Sequence, residues 1–394
     1  MTAVRPFPAL VVRQEWAPRV VSPMHDALAP EERAAIRAAN PDSYLHVTRR
    51  TDDPDATGGP DTLSAEGRAA LDRLLEAGAF RPFPEAGCFA YRLAALGHIQ
   101  TGVVAEVPVA AFESGDVRGH EDVDPARVEA LRLHLEGVPA RSDPVAIMHR
   151  PDPEIAGAIK GIVDGAPVVR IGSPDDVEQT VWRLAEAEGM EAVMAGLAEQ
   201  VLYVADGHHR VAASLAAWER AGRPPGAGIL CVLFPTDELQ VIAFHRLVHG
   251  PIDRRALRRA LDERFVLDGI ARPDPVPGSI DVYLEGQWFR AMPRDSSRPS
   301  GAAGLDVARL QDEVLGPMLG VQAFGDPRLE FASDLVPTDE LAKRCDAGGG
   351  AMFLLHPPSV DELMDVADRG DVVVPKSTYF HPKPRSGVIL RLVD

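Results

Sequence analysis

The junction at residues 201–210 constrains this chain more than any other segment. It reads Val-Leu-Tyr-Val-Ala-Asp-Gly-His-His-Arg, and a mostly small or apolar stretch follows it. The apolar run predicts a buried strand that enters a tight turn at Asp206-Gly207, and the Ala-rich stretch predicts a helix beginning with His208, His209 and Arg210. A helix start carries unpaired backbone N–H groups and partial positive charge. The junction therefore predicts an anion site, with phosphate as the favoured ligand.

Local folding offers a simpler explanation of the same residues. Gly207 serves a turn in this alternative, Asp206 caps the helix and the Arg210 side chain is solvated. Such a turn needs only one or two polar residues, whereas this junction has several in a row between an apolar strand and an apolar helix. We therefore favour a functional loop.

The length and the distribution of elements predict a mixed α+β protein with several cores. A chain of 394 residues exceeds the size at which one core usually stops growing. We expect an N-terminal α/β segment over 1–100, a phosphate-binding core over 101–250 and a C-terminal α/β segment over 251–394 that contributes to the cleft. Residues 88–93 and 100–107 predict two strands joined near Gly97, and residues 175–200 predict one long helix.

Charge and cysteine content exclude several classes of protein. A formal net charge of -18 disfavours nucleic-acid and anionic-membrane partners, because both require Lys and Arg against phosphates. The three cysteines form no CxxC pair, which favours a reducing compartment, and no apolar stretch approaches the roughly 20 residues that span a bilayer. We therefore expect a cytoplasmic protein that acts on a small molecule, and the sequence does not predict its oligomeric state.

Lys376-Ser377-Thr378 follow three valines and a proline. This order predicts a buried strand that presents a cation and two hydroxyls at its end, where they would join an anion pocket. The alternative is a solvated lysine beside a Ser/Thr turn.

Two acidic residues that each follow a histidine are weaker candidates. Glu121 is a possible general base, and His120 beside it would bind the substrate or orient the base. Asp26 is a second possible substrate contact. Each has an ordinary alternative, since Glu121 also suits a helix start and Asp26 also suits a turn or a cap.

The histidines do not have the spacing of a zinc site. Zinc-binding histidines on a helix usually stand four apart, whereas His208 and His209 are adjacent and point in different directions. Mg²⁺ held by Asp206 and phosphate oxygens suits the residues better. The sequence contains neither a GxxxxGK[ST] loop nor a GxGxxG turn.

Five segments together resemble a bacterial and archaeal family of unknown function. They are Arg-Pro-Phe at 5–7, Ser22-Pro23 with Asp26, His-Glu at 120–121, Ala-Asp-Gly-His-His-Arg at 205–210 and Pro-Lys-Ser-Thr-Tyr-Phe at 375–380. The 205–210 segment is also similar to the phosphate-binding motif of the ParB/sulfiredoxin superfamily, which includes free serine kinases and nucleotide-dependent DNA-partition clamps.

The resemblance implies a ParB/sulfiredoxin-like core and transfer of a phosphoryl group from ATP or ADP, with Mg²⁺, to free L-serine or a similar small alcohol. Asp206 and His208 would act in catalysis, with Asp206 on the magnesium ion or the acceptor. The phosphates would contact Gly207 to Arg210, and Lys376, Ser377 and Thr378 would complete the anion pocket. Glu121 would be the base.

Departures from the common family pattern put the acceptor in question. They fall at Met24 and His25 after Ser-Pro, at Val123 and Asp124 after His-Glu, and at Val211. Another small alcohol or amino acid is therefore an open alternative. Two other functions also remain: a nucleotide-responsive regulatory protein without turnover, and a hydrolase of phosphate esters.

Overall fold

The computed structural model describes residues 4–51, 53–172, 176–184, 187–323, 325–374 and 376–393. The chain forms two compact units that are interleaved in sequence. Unit 1 comprises Met1–Gly119, Val123–Leu239 and Pro382–Asp394, and unit 2 comprises His120–Asp122 and Gln240–His381. The division into three consecutive segments at 100 and 250 stays a prediction.

The strands are numbered in chain order. They are β1 (Phe7–Val12), β2 (Ser22–Pro23), β3 (Phe80–Ala95), β4 (His98–Pro108), β5 (Val117–Arg118), β6 (Ala140–Arg141), β7 (Val145–His149), β8 (Val169–Ile171), β9 (Glu178–Leu184), β10 (Leu202–Asp206), β11 (Gly228–Pro235), β12 (Gln240–Ile242), β13 (Phe244–Val248), β14 (Phe265–Ile270), β15 (Ile280–Leu284), β16 (Gln287–Pro293), β17 (Leu329–Ser333), β18 (Ala351–Leu355), β19 (Tyr379–His381), β20 (Arg385–Ser386) and β21 (Ile389–Leu392).

The α-helices are numbered in the same way. They are α1 (Ala17–Val20), α2 (Pro30–Ala39), α3 (Pro60–Glu76), α4 (Val109–Glu113), α5 (Pro125–Gly137), α6 (Pro153–Val163), α7 (Ala187–Ala198), α8 (His208–Arg220), α9 (Arg254–Arg264), α10 (Asp306–Arg309), α11 (Gly316–Leu319), α12 (Thr338–Gly348) and α13 (Val360–Arg369). Short 3₁₀ turns occupy His25–Ala27, Tyr44–His46, Thr236–Glu238 and Gly301–Gly304, and a π-helical turn occupies Leu310–Leu315.

Unit 1 is built on one large mixed sheet. Its strands run in the order β5-β10-β7-β11-β4-β3-β1-β21-β6, and β9 pairs with β3 and β8. β11 lies parallel to β7 and antiparallel to β4, and Ile229 to Phe234 along it are all buried. A strand covered on both faces reads as a continuous apolar run, which explains the composition of this segment. β10 lies second from one edge of this sheet, between β5 and β7, and its residues Leu202 to Ala205 are buried.

Unit 2 has an antiparallel sheet in the order β14-β16-β15-β18-β13-β17 and a separate pair, β12 with β19. Its apolar core includes Leu247 on β13, Met352 and Leu354 on β18, and Leu341 on α12. The described residues thus confirm the mixed α+β class, with helices packed on more than one sheet.

The hairpin predicted near Gly97 is confirmed by these elements. The hairpin of β3 and β4 turns at Gly97, where φ is +80°. α2 begins at Pro30, and the Glu32 carboxylate accepts from the Ala29 N–H at 2.8 Å, as a helix start bearing proline and acids should.

Two element predictions were wrong. The helix expected over 175–200 is in part strand β9, which pairs with β3, and helix α7 begins only at Ala187; residues 175, 185 and 186 lie outside the described residues. Cross-strand pairing therefore overrode a helical pattern of apolar residues. The buried strand expected before Lys376 is also absent from the described residues there, since Val372 is 55% exposed and only Val373 forms an isolated bridge.

The structure gives no membrane-spanning helix among the residues it describes, since none there combines the necessary length with sufficient apolar character.

Candidate functional site

The predicted strand–turn–helix junction is confirmed. β10 lies between β5, which is parallel to it, and β7, which is antiparallel. The register with β7 shifts between Val204 and Asp206, and such a bulge changes the direction of the side chain that follows it. Gly207 then adopts φ +107°, ψ 28°, a left-handed conformation that favours glycine, and α8 begins at His208. The junction thus places Asp206 at the end of a buried strand and at the start of a 13-residue helix.

Arg210 is turned into unit 1 and is buried. Its Nη2 donates to Asp206 Oδ2 at 2.6 Å, and its Nη1 donates to the carbonyl of Pro144 and to that of Asp143, the latter at 3.3 Å. Nη1 also lies 3.4 Å from Met24 Sδ. The alternative of a solvated Arg210 is therefore wrong, because this guanidinium ties the turn to two other loops.

Asp206 has a second cationic partner that lies far away in sequence. The Lys383 ammonium donates to Asp206 Oδ1, so each carboxylate oxygen is engaged by a different cation. Burial by itself raises the pKa of Asp206, but Lys383 and Arg210 outweigh it and hold that pKa well below its usual range. Asp206 is therefore ionised at neutral pH and is a weak base.

Asp26 lies in the same electrostatic neighbourhood. Its Oδ1 accepts from Arg50 Nη1 at 2.8 Å. Burial alone raises the pKa of Asp26, whereas Arg50, His25 and Arg210 together lower it well below its usual range. Asp26 in turn acts on the pKa of Asp206 in the upward direction. The structure thus brings the predicted substrate residue Asp26 near the predicted anion turn.

The two histidines of the turn differ in their surroundings. His209 Nε2 accepts from the backbone N–H of Asp124 at 3.0 Å, so the ring proton of the neutral form is on Nδ1. His208 is buried, and a Cβ placed on Gly119 would lie 3.2 Å from its Cδ2. His209 therefore fastens the loop that leads into α5, and His208 packs against the segment after β5.

The remaining predicted residues belong to unit 2. The Val373 N–H donates to the His120 carbonyl at 2.8 Å, and Glu121 forms a parallel bridge with Val373. Lys376 adopts φ +59°, and its carbonyl accepts from Arg246 Nη2 at 3.0 Å. The functional roles of His120, Glu121, Lys376, Ser377 and Thr378 stay predictions from the sequence.

Ser377 is buried, and its hydroxyl donates to the Val374 carbonyl. The Ser377 hydroxyl, which was predicted to join the anion pocket, therefore forms a hydrogen bond within its own turn. Pro375 lies outside the described residues.

The residues of the turn do not fit a resident metal ion. Both Asp206 oxygens already accept from cations, and the described residues contain no group of three or more His, Cys, Asp or Glu side chains placed to hold a metal. The geometry therefore does not support the metal-ligand role predicted for Asp206, which stays a prediction.

Lys383 was predicted from the sequence only as positive charge near the 376–380 segment, and its contact with Asp206 was not predicted. It stands 177 positions after Asp206, in a short Lys-Pro-Arg segment of an otherwise acidic protein. That local concentration of positive charge was a visible signal. Nothing in the spacing of the two residues, however, could predict their contact.

Comparison with solved structures returns distant similarities. A free serine kinase variant in complex with ADP is 16% identical, with 74% of this chain and 92% of that chain covered and a TM-score of 0.38. A free serine kinase in complex with AMP is 15% identical over 74% and 91%, with a TM-score of 0.38. SbnI with a C-terminal truncation, from Staphylococcus aureus, is 13% identical over 71% and 82%, with a TM-score of 0.37. These identities and TM-scores are too low to transfer an activity or a site residue.

No curated protein matches the chain. A family model described as "Protein of unknown function (DUF1015)" matches residues 4–310, which is most of the sequence and includes the strand–turn–helix junction. The chain therefore belongs to the DUF1015 family of proteins of unknown function.

Proposed function

We propose that this protein is a small-molecule kinase that transfers a phosphoryl group from a nucleotide, ATP or ADP, to the hydroxyl of free L-serine or a similar small alcohol. The observation that carries the proposal is the arrangement at the start of α8: Asp206 bound by Lys383 and Arg210 beside a left-handed Gly207. The resemblance of the 205–210 motif to the phosphate-binding motif of free serine kinases supports it.

The charges of this arrangement suit a phosphate ligand. Two cations oppose one carboxylate, and the positive end of the α8 dipole lies at the same place. Asp206 remains 25% exposed and Lys383 remains 17% exposed, so the group is accessible from solvent. In phosphoryl transfer the protein mainly positions the reactants and neutralises charge, which is what these groups supply.

Arg210 and Lys383 take different parts in the proposed mechanism. Arg210 is buried and holds Asp206 and the turn in place, so it is a positioning residue. Lys383 lies at the more open end and supplies charge to the phosphate. His208 stays a predicted catalytic residue at the first position of α8.

Proton removal from the acceptor is not assigned to Asp206. A carboxylate whose pKa is held well below the usual range by two cations accepts a proton poorly. Glu121 remains the predicted base on sequence grounds. Magnesium enters this proposal as part of the nucleotide substrate, since the Asp206 oxygens are both engaged.

The test is incubation with ATP or ADP, magnesium and a panel of small alcohols and amino acids, with products read by ³¹P NMR and mass spectrometry. L-serine should yield a phosphomonoester. Lys383→Met should lower kcat/KM at least about tenfold, as loss of one charge contact at the transition state does. Lys160→Met, an exposed lysine on α6, is the matched control and should leave the rate unchanged.

Other products would replace the proposal with one of its alternatives. Inorganic phosphate without a phosphorylated acceptor indicates a hydrolase. Tight nucleotide binding with no product from any acceptor indicates a regulatory protein.

A further inference from the structure

Unit 1 contains a cavity of about 60 Å³ whose lining includes neither Asp206 nor Lys383. Helices α5 and α8, the start of β11 and residues 140–145 enclose most of it. One water requires roughly 10–15 Å³ of such space, so the cavity has room for a molecule of a few heavy atoms. Its polar wall includes Thr48, Arg50, His134, Arg141, Ser142 and Asp143.

Two opposite charges in this wall do not pair with each other. Arg141 donates to the carbonyls of Val138, Ala140 and Leu135 at 2.7, 3.1 and 2.6 Å, and within the described chain it has no carboxylate partner. Asp143 Oδ1 is buried and has no hydrogen-bond partner among the described residues. In the part of the chain that the structure describes, the charge of Arg141 thus faces carbonyl groups and no carboxylate, and one oxygen of Asp143 is unsatisfied. Because such groups are costly to bury, their presence in one cavity wall indicates a missing ligand.

The same wall contains a buried neutral group, the Thr48 hydroxyl, whose hydrogen bonding the described residues do not satisfy. Thr48 is 4% exposed, and its Oγ1 has no hydrogen-bond partner among the described residues. His134 supplies a neutral imidazole, because burial lowers its pKa well below the usual range and Arg50 and Arg141 lower it further. A neutral imidazole and a hydroxyl each offer a donor and an acceptor.

We propose that this cavity binds a small dipolar molecule, a short amino acid whose carboxylate faces Arg141 and whose ammonium faces Asp143. A simple anion would leave the Asp143 carboxylate unpaired, and a simple amine would leave Arg141 unpaired. Arg210 lines the cavity and also contacts Asp206, so one side chain joins this cavity to the α8 turn. The identification of this ligand with the phosphoryl acceptor rests on the proposed function, whereas the binding site itself does not.

Calorimetric titration of the full chain, without nucleotide, tests the proposal. Glycine and L-serine carry both charged ends, acetate carries only the acidic end and ethylamine only the basic end. The amino acids should bind at least about tenfold more tightly than either half-molecule, since each lacks one charge-assisted contact. Acetate binding as tightly as glycine, or no binding by either amino acid, would overturn the proposal.

Two variants and one control locate the ligand. Asp143→Asn should weaken amino-acid binding at least about tenfold, and Thr48→Val, which keeps the side-chain shape, should weaken it severalfold. Asp72→Asn, on the exposed face of α3, is the matched control and should leave the affinity unchanged. If Asp143→Asn does not fold by circular dichroism, Thr48→Val decides, and unaltered affinity in a folded variant contradicts the assignment. Because no nucleotide is present, a positive result stands even if no kinase activity is found.

Discussion

Asp53 and Asp206 of unit 1 are each held by at least two cations, and the two carboxylates differ in their access to solvent. Asp53 has a side chain with 0% exposure, and it accepts from Arg33 Nε at 2.7 Å and lies 3.2 Å from Arg37 Nη1. His25 Nε2 is 3.1 Å away, and the Arg50 N–H donates to the other oxygen at 3.1 Å. Asp206 also has two cationic partners but keeps 25% of its side chain exposed.

The pKa values of both carboxylates move in the same direction for the same reason. Burial raises the pKa of Asp53, and hydrogen bonds from His25, Arg50 and Arg33 more than reverse that effect, as Lys383 and Arg210 do for Asp206. A shifted pKa therefore does not distinguish a structural ion cluster from a ligand site. Solvent access does distinguish them. The fully buried cluster around Asp53 has no room for a ligand, whereas the partly exposed Asp206 can be reached by one.

The largest effect on the free energy of unfolding is expected at the buried cluster around Asp53. Asp53→Asn removes the buried carboxylate that Arg33 and Arg37 both contact, and it should lower the free energy of unfolding by about 3–5 kcal/mol. Urea unfolding at neutral pH measures this change. Asp42→Asn removes the partner of the exposed Arg19 and should cost less than about 1 kcal/mol. Equal losses in the two variants would contradict the structural role of Asp53.

The next effect concerns the backbone of the open site. Gly207→Ala must keep φ +107°, and its Cβ would lie 2.9 Å from the Arg210 guanidinium. Strain of this kind costs about 1–3 kcal/mol and should displace Arg210 from Asp206. Gly222→Ala, at φ +80° with no atom within 4 Å, isolates the backbone cost and should be milder in thermal unfolding. Equal melting temperatures of Gly207→Ala and Gly222→Ala would contradict a specific clash between the added Cβ and Arg210.

A smaller effect is expected at Asp206 itself, and it depends on pH. Because the folded-state pKa of Asp206 is lowered, its contribution is present above the unfolded value of about 4 and is lost as pH falls below it. Asp206→Asn should cost about 1–2 kcal/mol at neutral pH, less than Asp53→Asn because solvent screens the pairs. Urea unfolding between about pH 7 and pH 3 should show the Asp206→Asn and wild-type curves converging at low pH. If the difference between the two free energies of unfolding grew as the pH fell, the pKa of Asp206 would be raised in the folded state and not lowered.

The smallest effect is expected outside both clusters, at His209. His209→Ala removes the acceptor of the Asp124 N–H and should cost about 1 kcal/mol. His209→Gln offers an amide oxygen that can accept the same hydrogen bond and should recover part of that loss in thermal unfolding. Full loss of ligand binding in His209→Ala with unchanged stability would instead indicate direct contact with the ligand.

The helix expected over 175–200 and the valines before Lys376 show where sequence reasoning failed. In the first case, β9 takes its conformation from pairing with β3, a strand about ninety positions earlier in the chain. In the second case, the apolar pattern was right for a strand, but only Val373 found a partner. Both errors arose because a β-strand forms only when it pairs with another strand, and the local sequence does not show which distant segment will pair with it.

Residues 201–210 by themselves determined a strand, a glycine turn and a helix start, because each depends on neighbours a few positions away. The tertiary structure decided what the turn's side chains contact. It turned Arg210 inward and brought Lys383 to Asp206. Among the described residues, it left Arg141 without a carboxylate partner and Asp143 Oδ1 without a hydrogen bond in one cavity wall. Those contacts join positions that are up to 177 residues apart, so their distances are set by the packing of sheet and helices and not by spacing along the chain.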